Sequence, residues 1–148
     1  MQFIASMHWP RYYFADQVIT IRNRQDFVSM LDSESLSPRV AFVKAPTFVP
    51  ADGVVNNVVE TANRATIDVV AHGRAFLVMS VTPHKYWRIT IDGRPAQAII
   101  TNIGFQGIIV PQGKHRVQMV YRNDLVITGL WISAIAISVF LIAVVVFR

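Results

Sequence analysis

The sequence contains no cysteine among its 148 residues. Without thiols it has no disulfide framework, no thiolate metal site and no cysteine nucleophile. Leucine is also scarce, with 6 residues against 37 valines and isoleucines combined. Because leucine is a strong helix former whereas β-branched residues favour strands, this imbalance predicts a mainly β protein.

Charge is sparse as well. The chain carries 14 Lys and Arg against 9 Asp and Glu, and the basic residues are scattered. A nucleic-acid-binding surface needs a basic patch or stripe, so we expect no nucleic-acid partner. The sequence also lacks a G-x-S-x-G elbow, a phosphate-binding glycine loop and paired catalytic carboxylates. We therefore predict no catalytic and no cofactor-binding residues in this chain.

One segment lacks charge altogether. Residues 125–147 form a run of 23 uncharged, mostly apolar positions that ends before Arg148. As a helix rising about 1.5 Å per residue, this run is roughly 34 Å long, and a bilayer core is about 30 Å thick. We predict a transmembrane helix, with the lipid bilayer as its partner. The alternative interpretation is a buried core helix.

The first ten residues have neither a basic region nor an apolar core of signal-peptide length. Two interpretations stay open. If Met1 is the true start, the domain is cytoplasmic and anchored by its tail. Otherwise Met1 is a cut point inside a longer protein.

Between the termini, the pattern is that of short strands separated by turns. From Asn63 onward the strand pattern is strong: residues 65–69 alternate apolar and polar side chains, whereas 75–79 and 107–110 are apolar runs. Apolar side chains on both faces of 75–79 predict a central strand. The pair Asp92-Gly93 lies between two such runs and is typical of a two-residue type I′ hairpin. Several short strands at this spacing predict an antiparallel β-sandwich of the jelly-roll or Ig-like type, with 63–124 as its core.

Residues 1–62 are interpreted as a strand–helix–strand lead-in packed on that sandwich. Residues 18–22 alternate as a strand does. Asn23, followed three residues later by an acid, predicts the N-cap of one short helix over 24–32. Residues 40–43 form a short apolar strand.

Seven features follow one another along the chain: an apolar strand, a loop with proline and tyrosine, a W-x-x-x-x-D-G hairpin, an asparagine loop, V-P-x-G-x-H-x-V, a Tyr-Arg end and the apolar helix. The first six occupy Leu77–Ser80, Pro83–Tyr86, Trp87–Gly93, Asn102, Val110–Val117 and Tyr121-Arg122. In this order they resemble the C-terminal domain of the bacterial YfhO-like polytopic membrane proteins. The stretch from Pro10 to Val43 also resembles what precedes that domain in the family.

The resemblance implies a parent protein similar to glycosyltransferases that use polyprenyl-phosphate sugars in the cell envelope. It places the catalytic acids in an early extracytoplasmic loop that this sequence does not contain. This piece is then a non-catalytic sandwich plus last span, which caps the upstream membrane domain or binds acceptor, an envelope glycan or a lipid-linked sugar. The alternative is a stand-alone, single-span module for protein or carbohydrate binding.

Two arguments conflict over the orientation of the span. Three basic residues lie near its start and only Arg148 at its end, so the positive-inside rule predicts a cytoplasmic sandwich. The resemblance implies an extracytoplasmic sandwich in the bacterial cell membrane. We follow the resemblance, because the charge rule weakens for long domains and for helices preceded by other spans.

The best candidate binding residues are His84, Lys85 and Tyr86, which precede Trp87. Aromatic and polar groups on the rim of a sandwich suit contact with a glycan or a lipid head group. The alternative interpretation is that Trp87 shares the inward face of its strand with Ile89 and only fills the core.

The remaining charged and histidine positions give weaker signals. The four histidines are not spaced as metal ligands, so we predict no metal site. Asp92 is interpreted as a turn former, and Asp68 has no evident partner. Lys114, Arg116 and Arg122 precede the span closely in sequence. They are interpreted either as residues that contact anionic head groups or as a plain solvated face.

Overall fold

The computed structural model describes residues 10–31, 39–44 and 48–146. The predictions made for 1–9, for the end of the short helix over 32–38 and for 147–148 lie outside the described residues. Within them, the strands are β1 Tyr12–Phe14, β2 Gln17–Thr20, β3 Val40–Val43, β4 Gly53–Thr61, β5 Arg64–Ala71, β6 Ala75–Met79, β7 Trp87–Ile91, β8 Arg94–Pro95, β9 Ile99–Thr101, β10 Phe105–Val110 and β11 Gly113–Tyr121. The helices are α1 Arg24–Leu31 and α2 Asp124–Val146.

The strands form two sheets. One has six strands in the order β1-β6-β10-β9-β3-β2, and the other has five in the order β4-β5-β11-β7-β8. All neighbours are antiparallel except β2 and β3, which are parallel. The prediction of a mainly β sandwich with one short helix and a C-terminal apolar helix is confirmed.

The main core lies between the two sheets and is built from alternate residues of β5, β6, β10 and β11. A second, smaller cluster lies on the other face of the six-stranded sheet. Strand β6 contributes to both clusters, and all five of its residues are buried. Apolar side chains on both faces of 75–79 therefore reflect a central strand that is covered on both sides.

The registers define two ends of the sandwich. At the far end, Gly113 at the start of β11 lies opposite Ala71. At the other end, Tyr121 at the end of β11 lies opposite Trp87 and leads into α2. We call this the helix end. Strand β6 runs from the far end to Met79 at the helix end. Gln106, near the start of β10, lies opposite Met79, so the β9–β10 turn that precedes β10 is also at the helix end.

The two helices begin on asparagine caps. Asn23 Oδ1 accepts a hydrogen bond of 2.9 Å from the Asp26 amide, as its position before an acid predicted. Asn123 Oδ1 accepts one of 3.1 Å from the Leu125 amide. Helix α2 has no buried residue, so it projects away from the sandwich, and its length and apolar composition suit a membrane span.

Candidate functional site

Four rings gather at the helix end. His84 lies 4.8 Å from Tyr86 and 5.6 Å from Tyr121, measured between ring centroids. Trp87 meets Tyr121 edge-on at 5.2 Å. The β7–β11 register produces this cluster, because it places Trp87 directly opposite Tyr121. The loop that the sequence singled out therefore lies beside the start of α2.

The members of the predicted binding loop differ in exposure. His84 and Lys85 are exposed, whereas Tyr86 is half-buried. The Lys85 ammonium lies 5.1 Å from the centre of the Tyr86 ring, within cation–π range. Trp87 packs against the main core, as the alternative interpretation expected. His84 and Lys85 are therefore accessible to solvent, whereas Trp87 is held against the core.

Ion pairs and a backbone hydrogen bond hold the helix end of the sandwich to the start of α2. Asp124 accepts from Arg122 Nε at 2.7 Å and also pairs with Arg88 from β7. The Arg122 amide donates to the Tyr86 carbonyl at 3.0 Å. Asp124 also lies in the first turn of α2, where a negative charge is favourable. The sandwich and the helix are therefore joined by non-covalent contacts in addition to the covalent chain.

The expected head-group contacts of Lys114 and Arg116 are wrong. Lys114 lies seven residues before Tyr121 on β11, or about 23 Å towards the far end at 3.3 Å per residue. Arg116 Nε instead donates to Asp68 at 2.7 Å and gives that aspartate the partner that the sequence did not reveal. Of the three basic residues, only Arg122 lies at the helix end.

A histidine–aspartate clasp closes the far end. His115 Nδ1 lies 2.7 Å from Asp92 Oδ2, and its Nε2 lies 3.2 Å from the Gln112 carbonyl. Both neighbours are acceptors, so the protonated ring satisfies both. The hydrogen bond that the His115 ring donates to Asp92 raises the pKa of His115. The Arg116 amide, foremost, and His115 lower the pKa of Asp92.

This clasp predicts a pH dependence of stability. The contribution of His115 is fully present below its unfolded pKa of about 6.5 and is lost as the pH rises through its raised folded value. The contribution of Asp92 is present above about pH 4 and is lost as the pH falls through its lowered value. We expect the melting temperature to fall by a few degrees between pH 5.5 and pH 8.5, and His115→Gln to remove most of that difference. Thermal unfolding of both proteins checks this, and an equal pH response would contradict it.

The Asn102 side chain links β3 and β9, which share little backbone pairing. The only backbone register between β3 and β9 in the described residues is Val43 opposite Thr101. The Asn102 side chain extends the pairing, because its Oδ1 accepts from the Phe42 amide at 2.8 Å and its Nδ2 donates to the Val40 carbonyl at 3.4 Å. The asparagine of the family-like loop therefore has a structural role.

We expect Asn102→Ala to lower the free energy of unfolding by about 2 kcal/mol, since it leaves a half-buried amide without its acceptor. Its backbone φ of 50° also favours asparagine over alanine. Asn102→Asp keeps the Oδ1 acceptor and should lose less. Urea unfolding of the three proteins measures the difference, and equal stability of the alanine variant would contradict the role.

In the described part of the chain, no group of three or more His, Asp or Glu side chains is placed to hold a metal ion. The family model described as "Bacterial membrane protein YfhO" matches residues 42–133, which is more than half of the 148 residues. The match includes the whole predicted binding loop, the far-end clasp and the first turns of α2. No curated protein and no solved structure matches the chain.

Proposed function

The chain belongs to the YfhO family of bacterial membrane proteins, and from that premise we propose that it is the C-terminal extracytoplasmic sandwich and last membrane span of a larger protein. The parent is a glycosyltransferase of the cell envelope that uses polyprenyl-phosphate sugars. This part is non-catalytic: it covers the upstream membrane domain and takes part in binding the acceptor.

The observation that supports this best is the placement of both chain connections. The chain enters β1 through Arg11, whose carbonyl accepts a 2.8 Å hydrogen bond from the Ser80 amide, just past the end of β6. That is the helix end, where α2 also leaves. A domain held between two membrane segments needs both connections on one side.

Three carboxylate side chains of the sandwich support a non-catalytic role, because each is bound to other residues of the sandwich. Glu60 pairs with Arg11 at 3.0 Å and accepts from the Tyr12 hydroxyl at 2.6 Å. Asp68 and Asp92 hold neighbouring strands through Arg116 and the clasp. A general acid or base must instead reach a substrate proton.

The loop of His84, Lys85 and Tyr86 is the contact that we assign to a head group or glycan. It lies beside the start of α2, and its exposed imidazole and ammonium point away from the core. Amphipathic aromatic rings are enriched where a protein meets the membrane–water interface. The half-buried Tyr86 anchors the loop while the two exposed residues make the contact.

Cysteine labelling tests the orientation, since the chain has no native cysteine. Val54→Cys lies on an exposed position near the far end, and Arg148→Cys lies beyond the span. A membrane-impermeant maleimide should label Val54→Cys in intact cells and Arg148→Cys only after permeabilisation. The reverse pattern contradicts the extracytoplasmic sandwich. Labelling of both from one side contradicts the span.

The size of the native protein tests the parent. An antibody against residues 60–120 should detect a band far above the 16.7 kDa of this chain in membranes of the source cells. A band near that mass would contradict the glycosyltransferase parent. It would favour a stand-alone, single-span module that binds protein or carbohydrate.

A further inference from the structure

An apolar groove lies on the side of the six-stranded sheet formed by β2, β3 and β9. Its apolar lining comes from Ile21, Phe42, Ile99, Ile100 and Ile103. Its volume is about 580 Å³, within the range of small-molecule sites. We call it the lateral groove. Ile21 and Phe42 are buried in its floor and Ile99 packs on the smaller cluster, so its exposed apolar surface comes mainly from Ile100 and Ile103. The predicted binding loop does not line it.

Two isoleucines of the groove are exposed to solvent, which is unfavourable in free energy for apolar side chains. Ile100 is 61 % exposed and Ile103 is 53 % exposed. Ile103 also has a φ of 65°, in the left-handed region that disfavours β-branched residues. Glycine or asparagine would adopt this turn with less strain, and the exposed side chain recovers little by packing within the described fold. The side chain is therefore available to an apolar partner outside that fold.

The groove also carries unbalanced positive charge. Arg24 and Lys44 line it, and none of its lining residues in the described part of the chain is acidic. Among the described residues neither cation forms an ion pair, and the nearby Asp26 carboxylate accepts from the Arg22 amide at 3.0 Å. Two unpaired cations at one apolar cavity attract an anion with a hydrocarbon part.

The two parts of the groove are ordered along the strand direction. Ile103 lies in the β9–β10 turn, at the helix end. Val43 lies opposite Thr101 on the antiparallel neighbour β9, and Lys44 is the next residue, directly after β3. Lys44 is therefore about three residues, or roughly 10 Å, further towards the far end than Ile103. The apolar part of the groove around Ile103 is therefore nearer to α2, and the cations lie farther from α2, towards the far end.

We propose that the lateral groove binds one anionic lipid from the adjacent bilayer. Its phosphate lies between Arg24 and Lys44, and its hydrocarbon chain follows Phe42 and Ile100 and leaves past Ile103 towards the membrane. The proposal rests on the proposed function in one respect, since α2 must span the bilayer to hold the groove at its surface. The site gives the sandwich a means to hold a lipid-borne phosphate while the parent acts elsewhere.

The test uses the full chain in lipid nanodiscs with a bimane fluorophore on Ala98→Cys, an exposed position in the groove. A minor fraction of phosphatidic acid with brominated chains should quench the fluorophore, and brominated phosphatidylcholine at the same fraction should not. Arg24→Gln/Lys44→Gln should weaken the apparent affinity for phosphatidic acid about tenfold or more, because it removes two charge-assisted contacts. The matched control Arg94→Gln/Lys114→Gln removes the same charge from exposed positions outside the groove and should have no effect.

Each alternative outcome has a distinct meaning. Equal quenching by both lipids, or no effect of the Arg24/Lys44 variant, overturns the site and leaves only general bilayer contact. Absence of quenching at Ala98 also overturns it and indicates an empty groove or a protein partner. Bimane at Ile137→Cys, within α2, should be quenched by brominated phosphatidylcholine. Failure there contradicts the span itself, whereas quenching at Ile137 without quenching at Ala98 contradicts only the lipid site.

Discussion

Replacing Gly107 by alanine is expected to destabilise the sandwich by about 3 kcal/mol or more. Gly107 lies buried in β10, directly opposite Val78 of the neighbouring strand. A Cβ at this position would lie 2.5 Å from Phe76 Cζ and 3.0 Å from the Leu77 carbonyl oxygen. The Phe76 ring is fully buried and the carbonyl belongs to the backbone of a central strand, so neither neighbour moves without disturbing the core.

Urea unfolding of the chain in detergent micelles measures the loss. Gly104→Ala is the matched control, because a Cβ at Gly104 meets nothing within 4 Å and its φ is not in the left-handed region. We expect the control to unfold within about 0.5 kcal/mol of the wild-type chain. A Gly107 variant as stable as the control would show that the Phe76 ring adjusts freely.

The reason for Gly107 is invisible in the sequence. The pattern at 107–110 correctly predicts a strand, but a strand does not reveal which residue lies across from it. Phe76 meets position 107 only through the β6–β10 register, which joins residues about thirty positions apart. Local patterning therefore predicts the strand, whereas the requirement for glycine arises from tertiary packing.

The rest of the fold also divides into features that local sequence patterns predict and features that depend on tertiary packing. The Asp92-Gly93 turn, the Asn23 cap and the apolar helix are local signals, and the structure contains all three; Asp92 and Gly93 have φ values of 50° and 78°. The pairing of β1 with β6 and the parallel pairing of β2 with β3 are not local. They depend on which edges meet when the sheets assemble, and side-chain periodicity carries no information about that choice.

In the candidate sites too, the sequence predicts groups of neighbouring residues but not contacts between residues far apart in the chain. His84, Lys85 and Tyr86 are neighbours in sequence, so their grouping was predictable. Asp92 and His115 are 23 positions apart, and only the assembled five-stranded sheet brings them together. The misplacement of Lys114 has a related cause, since closeness to α2 along the chain becomes distance when the intervening residues are fully extended in β11.

Two arginines introduced into the middle of α2 are expected to move the chain out of the membrane fraction. Ile135 and Val139 lie near the middle of the helix, one turn apart, and both are exposed. At the centre of a membrane helix each replacement by arginine costs about 3 kcal/mol, so Ile135→Arg/Val139→Arg disfavours insertion by about 6 kcal/mol, or roughly 10⁴-fold. Arginine side chains that reach the interface reduce this cost without removing it.

We expect the wild-type chain, expressed alone, to float with membranes in a sucrose gradient and to resist carbonate extraction. The double variant should leave the membrane fraction while its sandwich stays folded, because α2 contributes no buried residue to the core. Val54→Arg/Val59→Arg adds the same charge at exposed positions of β4 and should stay in the membrane fraction. If the α2 variant stayed there too, the contact with lipid would have to come from the helix end of the sandwich, where the lateral groove and the His84–Tyr86 loop both lie.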